Sequence, residues 1–137
     1  MPTLEELLRV SLKGANERFD QANKTLHAVV VEAAKAVEAA TEGKATVRLH
    51  VIESNESGTR YSLQVCDRKG TDTRFLTDFN VTKNGFPIFE GSNRNAIGSA
   101  EAFTSYFQKL MSDPESPLVG YLAYIVRNSA TTDAIPF

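Results

Sequence analysis

The chain has 137 residues, 42% of them apolar and 23% charged, with a net charge of −2. That length suits a single domain with a real core, the composition excludes wholesale disorder, and the charge excludes whole-surface attraction to nucleic acid. One cysteine, Cys66, excludes an internal disulfide, and the absence of a long apolar run or a signal-like N-terminus points to a cytoplasmic protein.

Thr3-Leu4-Glu5-Glu6 has the form of a capping box, a hydroxyl followed three residues later by a carboxylate. From there Leu8, Leu12, Ala15, Phe19, Ala22, Leu26, Val29, Ala33, Val37 and Ala40 recur at spacings of three and four, until Gly43 offers a C-cap. The pattern predicts one helix of nearly forty residues, with Gly14 as the place for a kink. Such a helix outruns a small sheet, whose strands span about 17–20 Å. Part of it should overhang or pair with another chain in coiled-coil fashion.

Residues 45–90 change to period two. Val47, Leu49 and Val51 alternate with Arg48 and His50; Tyr61, Leu63 and Val65 alternate with Arg60, Ser62 and Gln64; Phe75, Phe79 and Val81 oppose Arg74, Asp78 and Asn80. Asn55–Gly58, Asp67–Gly70 and Lys83-Asn84-Gly85 read as turns, and Phe86–Glu90, with Pro87, as an edge strand. A four-stranded antiparallel meander follows. Gly91–Gly98 reads as a polar loop. Ser99 caps a helix through Met111, and Ser116-Pro117 opens a nearly all-apolar helix ending near Arg127. The fold class is α+β, with a long N-terminal helix, the meander sheet and two C-terminal helices on one sheet face. Residues 1–128 form the domain and residues 129–137 a flexible interaction tail. The apolar stripe of residues 8–40 and the apolar helix 117–127 predict a homodimer or higher oligomer.

No catalytic or cofactor motif stands out. His27 and His50 lie in no metal-ligand spacing with Cys66 or a carboxylate, and no phosphate-binding glycine loop or nucleophile elbow occurs. The expectation is a non-enzyme without a metal or cofactor. The middle of the chain is its basic part: residues 44–94 carry eight Lys and Arg against six Asp and Glu. Alternation puts Arg48, His50, Arg60, Gln64 and Arg74 on the face away from the helices. Lys83 and Arg94 extend that face, with Arg68 and Lys69, and Phe89 is its clearest stacking residue. Guanidinium groups so arrayed can pair with phosphates or stack on bases. The same face can equally be solvated polar decoration, and a phosphate could sit where Arg94 approaches the Ser99 helix.

The segment Asp133-Ala134-Ile135-Pro136-Phe137 resembles the C-terminal tip of bacterial single-stranded DNA-binding proteins. In that family an acidic stretch ending in Ile-Pro-Phe recruits replication, recombination and repair enzymes. The resemblance implies that Phe137 fills an apolar pocket, that its carboxylate meets a basic rim, and that Asp133, Ile135 and Pro136 support the contact. It covers the last five residues only, and Ala134 stands where the family has an acid. The long leading helix is foreign to the family's barrel. The expected function is therefore single-stranded nucleic-acid binding in DNA metabolism, by a protein of host, phage or plasmid origin whose tail recruits partners. Two alternatives use the same residues: a decoy for those partners that binds no DNA, and an oligomeric sponge for an anionic nucleotide.

Overall fold

A computed structural model of the chain describes residues 1–134, with side chains through Asn128. Helix α1 spans Leu4–Ala40 without interruption, so Gly14 does not break it. Thr3 Oγ1 accepts the Glu6 amide at 3.2 Å, as a capping residue should. At the other end Gly43 takes a left-handed φ of 77° and donates its amide to the Glu38 carbonyl. The buried Thr41 hydroxyl donates to Val37 O at 2.7 Å and accepts from Ala45 N at 3.1 Å, which fixes how the first strand leaves the helix.

Strands β1 (Ala45–Asn55), β2 (Gly58–Asp67), β3 (Thr73–Thr82), β4 (Gly85–Glu90) and β5 (Asn95–Ile97) form an antiparallel sheet in the order β1-β2-β3-β4-β5. The fifth strand lies within the Gly91–Gly98 stretch that reads as a loop. Gly91 and Arg94 turn the chain at φ 75° and 54°, and Ile97 pairs with Ile88, both buried. Strand β4 is thus internal, and Pro87 lies just before the stretch that pairs with β5. Helix α2 runs Ala100–Ser112 under a Ser99 cap, and α3 runs Pro117–Ala134. Ser116 Oγ ties the two together, donating to Leu110 O and accepting from Val119 N. Helix α3 covers residues 129–134, where the composition reads as the start of a tail; Ile135, Pro136 and Phe137 lie outside the described residues.

All three helices pack on one face of the sheet. Ala22, Leu26, Val30, Ala33 and Val37 of α1 are buried there with Val47, Leu63, Val65, Phe79 and Ile88 from the strands. Burying each of the larger aliphatic side chains stabilises the fold by about 1.5–3 kcal/mol. Phe79 sits among Phe103, Tyr106 and Phe107 of α2, with centroids 5.2–6.3 Å away. The Tyr61 hydroxyl donates to Asn23 Oδ1 at 2.5 Å, holding α1 to β2. Ahead of Phe19 the helix leaves the sheet. Each of residues 4–18 is exposed, a run of about 22 Å at 1.5 Å per residue whose end meets the sheet where the Arg18 backbone lies against Gly85.

Two bulges change which residues face the helices. Pairing slips between Val51 and Glu53 in β1, and between β2 and β3 at Leu63/Gln64, where Leu76 is the extra residue. Val51 keeps the parity of Tyr61 but remains 52% exposed on the edge strand. Phe75, which simple alternation buries beside Phe79, pairs with Gln64 and points away from the helices.

Candidate nucleic-acid interface

The helix-free face is built around β2. Between Val47 and Val51 the β1–β2 register is regular, so Arg48 opposes Gln64 and His50 opposes Ser62. Arg48 Nε donates to Gln64 Oε1 at 3.2 Å, and Gln64 Nε2 donates to Ser62 Oγ at 3.1 Å. This polar chain aims the guanidinium along the sheet. Arg48 and His50 are both exposed.

Because Leu76 shifts the β3 register, Phe75 completes the row Arg48–Gln64–Phe75 across three strands. Its side chain is 61% exposed. A phenyl ring held that open lies outside the hydrophobic core of the described residues.

The second half of the face centres on Arg60. Its Nε donates to Asp78 Oδ2 at 2.8 Å, the side chain remaining 45% exposed. Asn80 and Phe89 continue this row across β3 and β4. Arg94 lays its guanidinium 5.0 Å from the centre of the Phe89 ring. Arg60, Arg94, Asn80 and Glu53 line a shallow hollow of about 190 Å³. The face therefore sets three guanidinium groups, Arg48, Arg60 and Arg94, against two carboxylates, Glu53 and Asp78.

Two of the expected residues lie elsewhere. Arg74 opposes Val65, not Gln64, and so points to the helix side, where its guanidinium stands 5.1 Å from the centre of the Tyr121 ring of α3. Asp72 Oδ1 lies 3.7 Å from its Nε. The bulge is the reason, since one extra residue reverses the parity of everything N-terminal to it in β3. Lys83 follows β3 and lines a hollow beside Ala15, Asn16 and Phe19 of α1, on the helix side. Arg68 and Lys69 are exposed in the β2–β3 turn. That turn is organised by Asp67, whose carboxyl is held below its ordinary pKa, first by the Thr71 hydroxyl and then by the Asp72 amide. Asp133 lies in α3 with its side chain outside the description, and Ile135, Pro136 and Phe137 lie outside the described residues.

Sequence reasoning missed Phe75 as a residue of this face. The signal is nonetheless present: Phe75-Leu76 and Val51-Ile52 are adjacent apolar pairs in otherwise alternating strands, and both mark bulges.

The arrangement can hold phosphate oxygens at Arg48, Arg60 and Arg94, and can stack flat rings on Phe75 or on the Arg94–Phe89 pair. Among the described residues no group of three His, Cys, Asp or Glu is placed to hold a metal, and no helix is long and apolar enough to cross a membrane. The class defined by this geometry is an α+β protein with three helices on one sheet face and an open arginine-aromatic face opposite. No protein-family model, curated protein or solved structure matches the chain.

Proposed function

We propose that the protein binds single-stranded nucleic acid across the open face of its sheet, as a cytoplasmic, non-enzymatic component of DNA metabolism. The observation that carries this reading is Phe75, turned out of the core by the Leu76 bulge and left exposed in line with Arg48. Unpaired bases stack on such rings, whereas bases inside a duplex do not offer their faces. With only one more guanidinium than carboxylate on the face, stacking supplies more of the affinity than charge does. The tip Asp133–Phe137 would recruit partners in the manner of the tails that it resembles. The hollow between Arg60 and Arg94, at about 190 Å³, is below the roughly 300 Å³ at which small-molecule pockets begin, which argues against the nucleotide-sponge reading.

The test is fluorescence anisotropy with labelled single-stranded DNA, single-stranded RNA and duplex DNA at two salt concentrations. Single strands should bind better than duplex. Three phosphate contacts correspond to a slope of log K against log salt of about −2. Absence of single-strand binding at low salt would end this reading and leave the partner decoy in its place.

A further inference from the structure

The overhanging part of α1 carries an apolar stripe that stays largely exposed among the described residues. Leu4, Leu8 and Leu12 are 85%, 60% and 53% exposed. At spacings of three and four they lie on the line that continues through Ala15, Phe19, Ala22 and Leu26 into the core. One stripe thus serves two surfaces: the sheet from Phe19 onward, and open solvent before it. An isolated helix of fifteen residues is marginal in water, so packing from outside the fold is what would hold this segment helical.

We propose that the segment 4–18 pairs with the same segment of a second copy, antiparallel, to make a two-fold symmetric dimer. The position of the sheet decides the direction. From Phe19 onward the stripe side of the helix is occupied by the chain's own strands, so a partner helix has room only along residues 4–18. In a parallel pair both sheets would crowd onto the same end and side. In an antiparallel pair each sheet lies beyond the start of the other helix.

The register follows from two fits. Placing Leu8 against the partner's Leu12, and Leu12 against its Leu8, buries the four most central leucines together. The same register brings Leu4 level with Asn16 of the second copy. Asn16 lines a hollow of about 270 Å³ where the helix parts from the sheet, closed by Phe19, Asn55, Thr59 and Lys83. The hollow therefore lies where the incoming helix begins. In this register the charges do not collide: Arg9 falls opposite Ser11, Lys13 opposite Leu7, and Glu5 opposite Ala15. Glu5 already pairs with Arg9 of its own helix at 3.0 Å. The contact is isologous, as a closed two-fold dimer requires.

The test is light scattering on the full chain, with the Leu8→Glu, Leu12→Glu double variant beside the wild type. The wild type should have twice the 15.0 kDa chain mass at micromolar concentration, and the variant should be a monomer with unchanged circular dichroism from the sheet and core. Its dissociation constant should rise by about a hundredfold or more, as when central anchors are lost. In a Cys66→Ser background, a mixture of Leu8→Cys and Leu12→Cys chains should oxidise to the mixed disulfide. A monomeric wild type would overturn the proposal. So would a dimer that the double variant leaves intact, which would place the interface elsewhere. Preferential disulfide formation of Leu8→Cys chains with themselves and also of Leu12→Cys chains with themselves would overturn the antiparallel direction.

Discussion

Gly85 lies against the backbone of Arg18, so close that a Cβ there would stand 2.4 Å from the Arg18 carbonyl oxygen. Its φ of 80° also belongs to the region that side chains disfavour. This contact marks where α1 departs from the sheet. Gly85→Ala should destabilise the fold by about 2–4 kcal/mol, since neither backbone can yield without moving a helix or a strand. Urea unfolding would measure it as a fall in midpoint.

Phe75 and Arg74 give opposite predictions although they are neighbours. Phe75→Ala should leave stability within about 0.5 kcal/mol, because the ring is largely exposed. It should weaken single-strand binding by about 1–3 kcal/mol, the loss of one stacked base. Arg74→Ala should leave that affinity unchanged and lower the melting temperature slightly through its lost contact with the Tyr121 ring. Anisotropy and thermal melts on the two variants check both.

Burial, reinforced by the Glu90 charge, pushes the Tyr106 phenol above its ordinary pKa of 10.0. Burial also raises Tyr61, whose hydroxyl donates to Asn23. A raised folded-state pKa means that the native state favours the protonated phenol. The stability it contributes is complete below pH 10 and is lost as pH rises through the folded value. Unfolding free energy should therefore fall above pH 10, and Tyr106→Phe should flatten that fall. Urea titrations at pH 8 and pH 11 would show it.

Deleting Phe137 should leave the melting temperature unchanged and abolish capture of a protein that binds the tips of single-stranded DNA-binding proteins. Extending the chain by one residue should do the same, because the ring stays while the carboxylate moves. Pull-down with such a partner and a thermal melt give the two readouts. A melting temperature lowered by several degrees would make the tip part of the core.

The boundaries of α1 and α2, the start of α3 and the meander were legible because their signals are local. Thr3 and Ser99 cap, Gly43 terminates, and the turns at Asn55–Gly58 and Lys83–Gly85 sit between runs of clear alternation. The open face was only partly legible. Arg48, Arg60 and Gln64 lie on β1 and β2 where alternation is unbroken, and they are where counting by twos puts them. Arg74 and Phe75 lie beyond a bulge, whose effect depends on which residue the partner strand leaves unpaired. The fifth strand was hidden because three residues carry no period; Ile97 becomes a strand residue through Ile88, a partner supplied by the rest of the fold.

The Leu76 bulge makes the chemistry of β3 depend on a count as well as on residue types. Deleting that one residue would close the ladder without turning a side chain, since Phe75 would stay opposite Gln64 and Arg74 opposite Val65. Keeping Leu76 but pairing it with Gln64 would do the opposite. Residues 73–75 would slip one place along β2, turning Arg74 to the open side and Phe75 to the helices. Strand β3 thus holds two ligand preferences one register step apart.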